Sequence, residues 1–316
     1  MIVRWSFDEL PETLAEVGIE RPFLIATARF ADDDFPPHVG RLSELPSDDP
    51  QVPPEADGIL TAGGGGAIDT GKYASALSGL PVVHVPTTYS GAEWTTHYGI
   101  RTPDRIGRGG GGGAHPVAIV YDVGLTLGLP TDVTVGTAMN ALAHCAEALY
   151  TRTRNPEGDL QALAGAPRIA HALPRVVADP GDESARRELL EGAAHGGHAL
   201  ALAGLALAHA MAQAVGGAYG HPHGAMNALC LPAALAYNHD WAPTAVDRFG
   251  EAIGGDAVER TRALALLGGF ERLRDFGVPE ADLPGLAEKA AQRPGNANNP
   301  HPANPVEILE LFRVIY

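Results

Sequence analysis

Over the first 120 residues short apolar runs alternate with Gly and Pro punctuation, a pattern that predicts strands and helices in turn. Residues 22–27, 57–62, 81–86 and 117–120 read as buried strands, and 67–78 as a helix. From about Pro130 the pattern changes to Ala- and Leu-rich text at helical spacing with few strand formers. This predicts an α/β domain over 1–121 and an all-helical domain over 122–316, closing with a helix that starts near Pro305. The glycine run 109–113 reads as a flexible loop, and the polar stretch 296–302 as another.

Between the first two strands lie about 30 residues, room for two parallel crossovers and one more strand. Both connections carry paired prolines, Pro36-Pro37 and Pro53-Pro54, which remove donors and clash with a preceding helical turn. No helix is expected in either. The second strand runs into Gly63-Gly64-Gly65-Gly66 and then the helix. A glycine turn between a buried strand and a helix lets backbone amides approach a pyrophosphate, and the helix N-terminus favours its charge.

Composition narrows the classes. A hydrophobic content of 45% with 19% charged residues suits a soluble globular chain. The net charge of −16 argues against nucleic-acid binding, which needs cations to displace counterions. No apolar run is long enough to span a bilayer, and the N-terminal MIVRWSFDEL lacks a secretory signal, so a cytoplasmic protein without membrane contact is expected. Cys145 and Cys230 lie in apolar text and read as reduced core thiols.

The helical half carries the candidate chemistry. Asn140 and His144 stand four residues apart, on one face of one helix. His209 and His223 follow, 14 residues apart, and the Gly216-Gly217 pair with Pro222 is expected to turn both toward that helix. His195 and His198 are read on the same helix as His209, in structural or surface roles. Three convergent imidazoles can hold a divalent metal, or relay a proton and hydrogen-bond a carbonyl oxygen.

This layout resembles the iron-containing (group III) alcohol dehydrogenase family, and Asn140 in place of that family's aspartate resembles its maleylacetate reductase branch. The segments 63–72 and 86–95 are similar to the family's glycine-rich and Pro-Thr-Thr cofactor loops. The resemblance implies a dehydroquinate synthase-like, group III alcohol dehydrogenase fold with a reduced Rossmann-like cofactor domain. It implies cofactor contacts from Gly63, Gly64, Gly65, Gly66, Asp69, Lys72, Thr87, Thr88 and Tyr89, and catalytic roles for Asn140, His144, His209 and His223. Arg105, Arg108 and His221 are candidates to hold the substrate. The implied activity is NAD(P)H-dependent reduction of a small oxo acid or ketone by a homodimer. A metal (Zn or Fe) on His144, His209 and His223 is not expected, because Asn140 offers a neutral carbonyl where the family has a carboxylate. The shortened residues 28–56 leave a second reading open: a family member without nicotinamide chemistry, using the pocket for elimination, isomerisation or aldol-type proton transfer in a biosynthetic pathway.

Overall fold

The computed structural model describes residues 1–101 and 107–316. Arg105 lies outside the described residues, as does the side chain of Arg108. The chain divides into two compact units, 1–88 with 92–126, and 89–91 with 127–316. The break at Thr126 falls a little beyond the expected Tyr121, because Asp122 belongs to the first unit, where it accepts the Phe7 N–H at 2.9 Å.

In the first unit the strands are β1 (Ile2–Arg4), β2 (Pro22–Ala26), β3 (Gly40–Leu42), β4 (Gly58–Gly63), β5 (Pro81–Pro86), β6 (Tyr98–Arg101), β7 (Gly107–Gly111) and β8 (His115–Val120). Six described strands form one parallel sheet in the order β1-β8-β5-β4-β2-β3. β2 and β4 are buried along their whole length, which is why they read as unbroken apolar runs. The helices here are α1 (Leu10–Glu16) and α2 (Gly65–Ser78). From β2 the chain steps outward to β3, and from β4 it steps the other way to β5. The topological switch point therefore lies between the C-terminal ends of β2 and β4.

Neither connection flanking β3 contains an α-helix; the first holds only a single turn, Asp32–Asp34. Side chains from the connections cover the sheet instead. Phe35 packs against Phe30 and Phe7 at ring distances of 5.4 and 5.8 Å, in the cluster that includes Leu24, Leu60 and Val83. On the other face Leu45, Val52 and Ala56 lie against Phe23, Ile25 and Ile59. The glycine run differs from the sequence expectation: Gly107–Gly111 is a strand, paired antiparallel with β6. A Cβ on Gly110 would lie 2.3 Å from the Tyr98 carbonyl oxygen, so the close pairing itself requires glycine.

The second unit is helical: α3 (Thr131–Ala148), α4 (Pro156–Ala178), α5 (Glu183–Ala203), α6 (Leu207–Tyr219) and α7 (His223–His239), followed by α8 (Pro243–Ile253), α9 (Ala257–Leu266), α10 (Leu283–Ala291), α11 (Pro294–Asn298) and α12 (Pro305–Val314). α3 is buried on every side from Ala138 to Ala148 and is the central helix, against α4, α5 and α7. Small residues let the backbones approach: a Cβ on Gly196 would stand 2.6 Å from the Ala141 carbonyl oxygen. Two expectations are corrected here. Gly204, at φ +72°, ends α5, so His195 and His198 are not on the helix of His209. Gly216 and Gly217 lie inside α6, and the turn comes at Gly220. Cys145 and Cys230 are buried free thiols.

Candidate active site

The glycine turn stands at the switch point of the first unit. Gly63 has φ +156°, and a Cβ there would lie 2.7 Å from Ala67 Cβ. A Cβ on Gly64 would meet Thr88 Cγ2 at 3.0 Å. Gly65 and Gly66 form the first turn of α2, whose N-cap, Gly64, provides no side-chain acceptor, so their amides are open to an anion. Two hydroxyls flank the turn: Thr88 Oγ1 and Thr27 Oγ1 are buried without a hydrogen-bond partner. Open amides, a cradle without side chains and orphaned hydroxyls fit a dinucleotide phosphate. Thr87 is buried beside them and its N–H donates to the Gly63 carbonyl at 3.0 Å.

Three expected cofactor residues have other tasks. Lys72 is 1% exposed; its ammonium pairs with Asp69 at 2.8 Å and donates to the Ala92 carbonyl, Thr95 Oγ1 and the His97 carbonyl. With its donors engaged, Lys72 anchors the 92–97 loop rather than reaching a phosphate. Asp69 also accepts the Gly99 N–H at 3.1 Å. Tyr89 is fully buried in the second unit and its hydroxyl accepts from Arg186 Nη1 at 3.1 Å. That contact, with the Tyr89 N–H on Thr137 Oγ1 at 3.3 Å, holds the segment 89–91 against the helices.

The four expected catalytic residues do converge. On α3, Asn140 Nδ2 donates to the Ser90 carbonyl at 2.8 Å and lies 3.5 Å from His144 Nε2. The Ser90 carbonyl oxygen can only accept, so the amide orientation is set, and Asn140 Oδ1 faces Asn227 Nδ2 at 2.7 Å and His209 Nε2 at 3.3 Å. The His144 and His209 rings stack at 4.7 Å with planes 12° apart, and His223 stands 5.6 Å from His209. Burial lowers the His144 pKa well below the usual histidine range, and the neighbouring His209 and His223 lower it further. It is therefore a neutral imidazole.

Two members escaped the sequence reading. Glu147, fully buried, accepts His209 Nδ1–H at 2.7 Å and the N–H groups of Ala206 and His209 at 2.8 and 3.1 Å. One carboxylate thus caps α6 and fixes the His209 ring. Asn227 donates to Asn140 Oδ1 and sits 3.0 Å from His223 Nε2. Spacing carried a signal for both: Glu147 follows His144 by three residues, and Asn227 follows His223 by four, repeating the Asn140/His144 interval. His221 rests on Tyr219, at 5.6 Å, and edge-on to Phe276, at 5.5 Å.

Beside the three imidazoles Asn140 offers a neutral carbonyl, without the anionic oxygen that offsets the charge of a divalent cation. Among the described residues no three His, Cys, Asp or Glu side chains are disposed to hold an ion.

A parallel sheet with a glycine turn at its switch point is an architecture suited to hold a nucleotide, and the helical unit carries a buried histidine–amide cluster. The profile of the Fe-containing alcohol dehydrogenase family, C-terminal, matches residues 134–316. A maleylacetate reductase of Burkholderia cepacia is 36% identical over 83% of this chain and 74% of its own length. Another, from Pseudomonas knackmussii, is 31% identical over 98% and 93%. The crystal structure of maleylacetate reductase from Agrobacterium tumefaciens superposes with a TM-score of 0.88 at 28% identity, covering 100% of this chain and 95% of that one. The chain belongs to the Fe-containing alcohol dehydrogenase family. It is an oxidoreductase, a reductase resembling maleylacetate reductase, and these likenesses favour that reading over non-redox proton transfer.

Proposed function

We propose that the chain is an NAD(P)H-dependent reductase of a small oxo acid of the maleylacetate type, acting without a resident metal, as a cytoplasmic homodimer. The observation that carries the reading is the amide-locked histidine cluster, in which Glu147, Asn140 and Asn227 orient three imidazoles. A nicotinamide dinucleotide, when bound, supplies the hydride. Gly63–Gly66, Thr87 and Thr88 hold its phosphates by amides and hydroxyls. His209, held at Nδ1 by Glu147, donates from Nε2 to the ketone oxygen when its ring carries both protons and yields that proton to the product alkoxide, with His144 and His223 beside it to relay a replacement. Among the described residues no single helix is long and apolar enough to cross a membrane, in keeping with the proposed compartment. The partners are small molecules, with neither nucleic acid nor membrane among them.

The test is oxidation of NADH and NADPH by the purified chain with maleylacetate and a panel of small oxo acids, with and without chelator. Turnover that survives chelation supports the reading. Cofactor binding without turnover of any oxo acid sinks the substrate class, and activity lost to chelator and restored by Zn²⁺ or Fe²⁺ sinks the metal-free mechanism.

A further inference from the structure

We propose, resting on the reductase reading above, that Arg186 is a positioning residue of the reaction: through Tyr89 it fixes the Ser90 carbonyl, and with it the Asn140 amide that faces His209. Residues 89–91 are a separate piece of the helical unit, since 1–88 and 92–126 belong to the other. They lie in neither a helix nor a strand, so side chains of the helices must hold them. The Tyr89 N–H donates to Thr137 Oγ1 at 3.3 Å, and the Ser90 carbonyl accepts Asn140 Nδ2 at 2.8 Å. Gly91, at φ +73°, is packed so closely that a Cβ would lie 2.8 Å from Gly197 Cα and 3.4 Å from His144 Nδ1. The segment is therefore one wall of the histidine cluster, and it touches two of the four catalytic residues.

A further tether on this wall comes from α5. Arg186 is buried there, and its guanidinium is a planar fork whose donors point in fixed directions. Nε donates to the Pro180 carbonyl at 2.7 Å, Nη1 to the Tyr89 hydroxyl at 3.1 Å and Nη2 to the Leu127 carbonyl at 3.5 Å. Leu127 is where the chain enters the helical unit for good, so one fork binds both segments that come in from the other unit. A buried guanidinium is costly unless its donors are met, and a charge-assisted bond to a phenol is stronger than a neutral one. Tyr89 is thus held in place. The consequence for Asn140 is chemical. With the Ser90 carbonyl fixed, Nδ2 is directed at Ser90 and Oδ1 at His209 Nε2, 3.3 Å away. A drifting carbonyl frees the amide to turn and present its NH2 to His209, a donor facing the nitrogen that must itself donate. The loss falls on the proton-transfer step.

The experiment compares the native chain, Tyr89→Phe, Arg186→Met and the double variant, with sites counted by nicotinamide-cofactor titration so that kcat refers to folded molecules. Tyr89→Phe keeps the ring and removes only the hydroxyl that Arg186 binds. It is expected to lower kcat for an oxo acid about tenfold with KM within about twofold, and the double variant to fall no further than Arg186→Met. A second readout needs no turnover. With the chain isotope-labelled at nitrogen, the Asn140 side-chain NH2 signal, identified by its loss in Asn140→Asp, should shift in Tyr89→Phe and in Arg186→Met. An unchanged kcat per site in a Tyr89→Phe chain of lower urea midpoint would mean a purely structural role and overturns the proposal. Additive losses in the double variant, or an Asn140 signal that stays in place, overturn it too. Should Arg186→Met fail to fold, Tyr89→Phe decides by both readouts. A native chain that reduces no oxo acid overturns the reductase reading, and the amide signal then upholds or overturns the link from Arg186 to Asn140 by itself.

Discussion

Glu147 shows how one side chain can serve structure and chemistry together. Its oxygens close the open amides at the start of α6 and fix the Nδ1 side of His209. Removing its charge should act on turnover more than on substrate affinity. We expect Glu147→Gln to lower kcat by about 10- to 100-fold with KM little changed, and to cost about 1–3 kcal/mol of stability through weaker capping. Steady-state kinetics beside urea unfolding measure both, and an unchanged kcat would remove Glu147 from the positioning of His209. At the same scale, motif identity and side-chain task separate. Lys72 stands where the resemblance places a cofactor residue, yet its ammonium is saturated by protein acceptors. The motif was legible in the sequence; which atoms would consume its donors was not.

At the scale of elements, α2 is held to β4 through close approach. A Cβ on Gly71 would stand 2.0 Å from Thr61 Cγ2, whereas one on Gly66 would meet nothing nearer than Pro46 Cβ at 3.9 Å. The two glycines should therefore respond differently to alanine. Gly71→Ala is expected to cost about 1–3 kcal/mol or more by overpacking, and Gly66→Ala to leave stability within about 1 kcal/mol. Urea unfolding of the pair is the measurement, and equal losses would contradict this packing. The connections around β3 make the complementary point. Their prolines announced that no helices would form, but the sequence did not reveal that Phe30, Phe35, Leu45 and Val52 would cover the sheet in their place.

For the whole molecule, the buried histidines tie stability to pH. His84 is fully buried with Nδ1 2.7 Å from Thr61 Oγ1, and burial, with the charge of Lys72, pushes its pKa down to about 3. His144 shifts in the same direction. Both stay neutral in the native chain, whereas unfolded histidine takes up a proton below about pH 6.5. Stability present at neutral pH is therefore lost as the pH falls from about 6.5 toward 3. The buried Glu93 carboxyl, raised by desolvation, opposes part of that loss. The clean comparison is between native chain and His84→Gln. The variant should show a slope of unfolding free energy smaller by up to about 1.4 kcal/mol per pH unit between about pH 6 and pH 4. Identical slopes would show that His84 is protonated in the folded chain.

By itself the sequence determined the order and type of most elements, the glycine turn, and the family to which the histidine and asparagine spacings belong. These depend on local periodicity, on proline and glycine stereochemistry and on short motifs, all of which act between residues close in the chain. What only the tertiary structure decided was the partnership of residues far apart: Glu147 with His209, Asn227 with Asn140, Tyr89 with Arg186, and a glycine run zipped into a strand against Tyr98. Hydrogen-bond donors and close backbone approaches are settled by what the fold brings within about 3 Å, and one linear sequence does not specify that distance.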